Sequence, residues 1–137
     1  MTEEQVRLVQ ESFDKVRPIS EVAADLFYKR LFELDPTLRP MFKGDIKEQG
    51  KKLMSTLSVV VNGLSKLETV VGALEDLGRK HVGYGVKVEQ YDTVGAALLW
   101  TLEKGLGEAF TADVKFAWTE AYGLLAGVMQ DAAAEVA

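Results

Sequence analysis

Leu74-Glu75-Asp76-Leu77-Gly78-Arg79-Lys80-His81-Val82-Gly83-Tyr84-Gly85-Val86 holds the only histidine among 137 residues. Val70, Val71, Leu74, Leu77 and His81 fall on one face at helical spacing, which predicts a helix over about Glu68 to His81, broken by Gly83 and Gly85. Leu77 precedes His81 by four residues, so leucine and imidazole share that face, and the leucine can pack beneath a planar group that the imidazole binds. The same placement has a plain structural reading, because the helix macrodipole favours a cationic ring at the C-terminal end.

Outward from this stretch the chain reads as helix throughout. Thr2 with Gln5 makes a capping box, and Val6, Val9, Phe13 and Val16 carry a first helix as far as Pro18. A two-residue corner leads to a second period through Val22, Leu26, Tyr28, Leu31, Phe32 and Leu34, ended by Asp35-Pro36. Pro36 then opens a short helical turn that closes around Phe42-Lys43-Gly44. Ile46, Gln49, Leu53, Leu57, Val60, Val61 and Leu64 line one face of a third long helix, within which Val59 to Val61 is too short for a strand. Tyr91 to Leu106 and Ala112 to about Ala134 are two further helices, separated by Gly107 and an N-cap at Thr111. The expectation is an all-α chain of seven or eight helices forming a single domain, 1–137, with no internal repeat or linker.

Composition narrows the function. Apolar residues make 47% and charged residues 27% of the chain, a globular rather than a disordered balance. The net charge of −5 disfavours a nucleic-acid partner, whose affinity rests on phosphate neutralisation. The acidic, amphipathic N-terminus is unlike a signal peptide, and no apolar run approaches the ~20 residues of a membrane span, so a soluble, cytoplasmic protein without a membrane partner is expected. With no cysteine, there is no disulfide, thiol nucleophile or Cys-based metal site.

One imidazole cannot build a structural zinc site, but a metal already held by a macrocycle needs only one protein ligand, as haem iron does. The missing Cys-x-x-Cys-His excludes covalent attachment of the cytochrome c type. Tyr28 and Gln49 are polar residues on otherwise apolar faces, each readable as a boundary residue with its tip in water. Facing one cavity opposite His81, their phenol and amide would offer donors to a bound diatomic. Trp100, Trp118, Tyr84 and Tyr122 have a plain packing reading. Gly83-Tyr84-Gly85 lacks the strand and spacing of a dinucleotide fingerprint, and no acyl-transfer triad is present.

Four blocks in order then resemble the globins over essentially the whole chain: Phe27-Tyr28-Lys29-Arg30-Leu31-Phe32, Asp35 to Phe42, Arg79 to Val86, and Ala117-Trp118-Thr119-Glu120-Ala121-Tyr122-Gly123. Within that family the chain is similar to bacterial single-domain haemoglobins and to the globin domain of flavohaemoglobins. The resemblance implies a globin fold, helices A to H packed three-on-three around haem b, with a short or absent D helix. It implies His81 as proximal iron ligand, Phe42 wedged against the haem, Leu77 and Leu53 as proximal and distal packing residues, and Tyr28 and Gln49 as the distal pair. Val86, Val94 and Leu98 would close the pocket, and Tyr91 would help to hold the proximal imidazole.

The function this implies is reversible binding or transport of O2, with CO and NO as further ligands, by a monomer or homodimer. Alternatives are NO dioxygenation served by a separate reductase, a haem-based gas or redox sensor, and a cofactor-free helical protein. The chain departs from flavohaemoglobins in stopping at Ala137, before any flavin or NAD domain, and in placing Ala133 where their proximal network has a glutamate. Asp131 and Glu135 are each two residues from that position.

Overall fold

A computed structural model describes residues 1–42 and 44–136. Those residues form six α-helices: α1 (Glu3–Val16), α2 (Ser20–Leu34), α3 (Ile46–Asn62), α4 (Val71–Gly83), α5 (Val88–Leu106) and α6 (Ala112–Val136). Short 3-10 segments, Arg17–Ile19, Pro36–Met41, Gly63–Thr69 and Gly107–Ala109, join them, and no strand occurs among the described residues. The fold is an all-α globin-like array.

Local chemistry sets the boundaries. At the start of α1 the Thr2 hydroxyl accepts from Gln5 N at 3.1 Å and the Gln5 side chain accepts from Thr2 N at 2.9 Å, the expected box. Asp35 ends α2 in an extended conformation, as the residue before a proline should, and its carboxylate accepts from Thr37 N at 3.0 Å to start the Pro36–Met41 turn. Asp45 caps α3 by accepting from Lys47 N at 2.9 Å, and Thr111 accepts from Val114 N at 3.2 Å at the start of α6.

Several expected boundaries are corrected. The corner between α1 and α2 is a three-residue 3-10 turn, since Pro18 has no N–H to continue an α-helix. The helix expected from Glu68 starts at Val71, because Lys66 leaves helical geometry (φ −139°, ψ 70°) and the axis turns by 114° between Ile46–Thr69 and Val71–Gly83. It runs two residues past His81 to Gly83. α5 begins at Val88 rather than Tyr91, because the Gln90 amide accepts from Lys87 N at 2.7 Å and so caps the helix three residues earlier. The expected count of seven or eight helices becomes six α-helices with four 3-10 connections among the described residues. Lys43, in the expected closing turn, lies outside the described residues, as does Ala137.

The core runs through Val9 and Phe13 of α1, Leu31 of α2, Val61 of α3, Ala97 of α5 and Trp118 of α6. Phe13 and Trp118 pack ring to ring at 6.2 Å. α4 packs on α6, α2 on α5, and α1 on α6. Two glycines permit the closest approaches. A Cβ on Gly78 would stand 2.2 Å from the main-chain oxygen of Met129, so α4 reaches α6 backbone to backbone, and a Cβ on Gly50 would meet Ala24 Cβ at 2.9 Å where α3 meets α2. The first approach fixes the helix that carries His81.

Candidate functional site

His81 lies in the last turn of α4, and its Nδ1 is 2.7 Å from the main-chain oxygen of Leu77. A carbonyl only accepts, so Nδ1 carries the proton and the Nε2 lone pair is left free. Burial lowers the imidazole pKa below its ordinary value, against the opposing pull of the Leu77 hydrogen bond, and so favours the neutral ligand form. The Tyr91 ring stacks on the imidazole at 6.2 Å and 30°, and Tyr84 tilts against it at 5.9 Å. Below the ring the chain turns on Gly85 at φ +80°, and Val86 N donates to His81 O at 3.1 Å.

The imidazole borders a cavity of about 160 Å³. Leu53, Leu57 and Val60 enter from α3, Leu74 and Leu77 from α4, and Val94 and Leu98 from α5, with Val86 and Tyr91 near the turn. α6 supplies Trp118, Ala121, Leu125 and Met129. Leu53, Leu77, His81, Val86, Tyr91, Val94 and Leu98, all expected around the pocket, are thus brought together.

Tyr28, Phe42 and Gln49 stand beside this cavity and are absent from its lining. Tyr28 and Phe42 form an aromatic cluster with Phe32: Tyr28 meets Phe42 edge-on at 5.4 Å, and Phe32 meets Phe42 at 5.6 Å. The Tyr28 hydroxyl donates to the main-chain oxygen of Gln49 at 3.5 Å, so this pair is adjacent. Burial pushes the Tyr28 phenol up to about 12, with the contact to Gln49 acting the other way. The wall facing the cavity from α2 is Phe27, whose ring meets Tyr28 at 5.1 Å. Sequence reasoning passed over Phe27, although Ala23, Phe27 and Leu31 at four-residue steps mark the inward stripe of α2. It also passed over Gln90 and Met129, both in the lining. The Lys87-to-Gln90 spacing of a helix cap was a readable signal for the first, and the interior Gly78 for a close neighbour such as the second.

The hydrogen-bond network that the resemblance implies around His81 is incomplete among the described residues. The Tyr91 hydroxyl is buried without a partner, while Tyr122 donates to the Tyr91 main-chain oxygen at 2.5 Å. Asp131 and Glu135 are exposed, and the Glu135 carboxylate lies 3.9 Å from Arg79 rather than near Tyr91. Neither takes the place of a carboxylate at Ala133.

No group of three or more His, Cys, Asp or Glu that could hold a metal ion occurs among the described residues. Also among these, no single helix is long and apolar enough to cross a membrane. What His81 offers is one oriented nitrogen inside apolar walls, beside a buried phenol whose hydroxyl has no partner. That donor set fits a metal that brings its remaining ligands in an apolar, planar group, and haem is such a group.

Comparison with known proteins agrees. The globin family profile matches residues 25–129. A flavohaemoprotein of Rhizobium meliloti (strain 1021) is 34% identical over 106 residues, covering 75% of this chain and 26% of that protein, so the chain spans about a quarter of its length. Neuroglobin of Danio rerio is 29% identical over 143 residues, covering 94% of this chain and 90% of that protein. A solved structure from Rhodothermus marinus, an engineered carbene transferase described as a candidate nitric oxide dioxygenase, superposes with a TM-score of 0.89 at 26% identity over 99% of this chain and 95% of its own. A lone imidazole suffices only for a metal that carries the rest of its coordination with it, and with the profile match this makes the chain a member of the globin family, whose proteins bind haem.

Proposed function

We propose that the chain is a cytoplasmic haem b globin that binds O2 reversibly, with CO and NO as competing ligands, through iron held by His81 Nε2. The observation that carries this reading is the Nδ1 hydrogen bond to Leu77 O, which leaves Nε2 free at the edge of an apolar cavity. When bound, ferrous haem would supply the chemistry, an open coordination position that takes small diatomic ligands.

The chain's own residues hold and tune that position. Leu53, Leu77, Val86, Val94 and Leu98 would exclude water around the group, Phe42 would pack against it from the neighbouring aromatic cluster, and Tyr91 stacks on the imidazole to fix its rotation. Tyr28 and Gln49, which stand beside the lining, would supply the donors for a ligand that gains negative charge. The Tyr28 hydroxyl is held at the limit of hydrogen-bond distance, so releasing it costs little, and its raised pKa keeps the proton it must donate. With the Tyr91 hydroxyl unpartnered and no carboxylate in reach, the imidazole leans on a backbone carbonyl, which favours ligand storage over peroxide cleavage.

An absorption series of ferric, ferrous, CO and O2 forms tests this. One haem per chain with reversible CO and O2 difference spectra is expected, and a colourless chain that takes up no haem would refute it. A second reading, NO dioxygenation with electrons from a separate reductase, is supported by the structural neighbour described as a candidate nitric oxide dioxygenase. NADH-driven consumption of NO with an added reductase separates the two.

A further inference from the structure

The chain has five arginines, and four of them meet a carboxylate three or four residues away: Arg7 with Glu4 and Glu11, Arg17 with Asp14, Arg30 with Glu33, and Arg79 with Asp76. Exposed pairs of this kind contribute little, but they show where a guanidinium with no other task goes. Arg39 differs. Among the described residues it meets no carboxylate, and its guanidinium lies instead on the aromatic cluster beside the cavity. Nη1 donates to the main-chain oxygen of Phe42 at 2.8 Å, and Cζ stands 5.5 Å from the centre of the Phe32 ring.

The segment that carries Arg39 is weakly tied by its own backbone. Pro36–Met41 contains two prolines, neither of which has an N–H to donate, and 3-10 geometry makes poorer hydrogen bonds than an α-helix. Phe42 N donates to Arg39 O at 3.1 Å, so the main chain and side chain of one residue hold Phe42 at both its N–H and its carbonyl. The contacts then close a circuit. Phe32 meets the Phe42 ring at 5.6 Å, and Tyr28, one helical turn before Phe32 on α2, meets the same ring at 5.4 Å. A planar cation that covers one ring and bonds the backbone of the other ties α2 to the Pro36–Met41 turn, and a lysine, with a single point of charge, cannot serve both contacts.

We propose that Arg39 is a positioning residue, which holds Phe42 against the planar group at His81 and so slows the release of that group. The proposal rests on the haem reading above, in which Phe42 packs on the group. Arg39 is itself exposed and acts only through Phe32 and Phe42.

Transfer of haemin from the loaded protein to an excess of a haem-scavenging apoprotein reads this directly. Arg39→Met keeps the apolar stem without charge or donors and should speed haemin loss by about fivefold, while Arg39→Lys, which keeps the charge alone, should still speed it by about twofold. In a Phe42→Leu background, where haemin loss is already faster, Arg39→Met should add nothing further, because the two changes then remove one interaction. The same factor in both backgrounds would mark a general structural role and overturn the proposal while haem binding stands, as would an unchanged loss rate in Arg39→Met. Should Phe42→Leu hold too little haemin to time, ring resonances of labelled phenylalanine in the ferrous-CO form decide the matter. Arg39→Met is expected to move those of Phe32 and Phe42 and leave those of Phe13 and Phe116 in place, and an unmoved Phe42 ring would overturn the assignment. An unmodified chain that takes up no haemin refutes the haem reading and, with it, this role.

Discussion

His81 and Tyr28 are both aromatic polar groups set into apolar surroundings, yet they are held differently. The imidazole is fixed within one helical turn, Nδ1 at 2.7 Å from the carbonyl four residues earlier, whereas the Tyr28 hydroxyl reaches from α2 to a carbonyl of α3 at 3.5 Å. The first contact is dictated by helix geometry once α4 forms. The second depends on how α2 settles on α3 around Gly50 and Ala24. On the proposed reading, a locally fixed ligand beside a loosely held donor would divide the labour: one side would set where a metal sits, and the other would adjust to what binds on it.

The largest break in this comparison is His81→Ala. With no other histidine and no cysteine in the chain, haem should be lost, or held in a form restored by added imidazole. Tight haem with an unchanged ferrous-CO spectrum in this variant would remove the proximal assignment.

Tyr28→Phe probes the looser side. Loss of a donor contributing about 1.4 kcal/mol in a dry pocket should speed O2 dissociation roughly tenfold. CO, which gains less charge, should respond less, and Gln49→Leu should act in the same direction more weakly. Equal effects on O2 and CO by stopped-flow displacement would point to steric change in place of a hydrogen bond.

The smallest effect sharpens the same point without altering the pocket at neutral pH. The Tyr28 phenol has a folded-state pKa of about 12 against an ordinary value of 10.0, because burial disfavours the phenolate. A raised pKa means that stability is fully present below 10.0 and declines as pH rises toward and through about 12. Urea midpoints across that window should fall in the parent and fall less in Tyr28→Phe. Parallel curves would show that the hydroxyl is already solvated.

The contrast also explains what could be read in advance. His81 over Leu77 was legible because an i to i+4 relation is a property of the sequence once a helix is granted. The long helices followed for the same reason, through apolar periodicity. Phe27 was not seen as the cavity wall in place of Tyr28, because adjacent helical residues differ by about 100° and only the crossing of α2 with its neighbours decides which one faces inward. The Gly63–Thr69 segment was hidden by Leu64 and Leu67, which continue a helical period across a kink at Lys66. The free Tyr91 hydroxyl depended on where α6 leaves Asp131 and Glu135, and no local pattern contains that.

The two tryptophans make the interior optically visible. Trp118 is 2% exposed, borders the cavity, and has its indole N–H tied to Ser12, while Trp100 stands half-exposed between Arg30 and Lys104. One emitter is therefore in the core and one only partly buried, and a group in the cavity that absorbs where tryptophan emits quenches the first by proximity. Trp100→Phe would leave Trp118 as the single tryptophan, whose emission, excited selectively at the red edge of the absorption band, then titrates the filling of the cavity directly, without reference to the colour of the ligand complex.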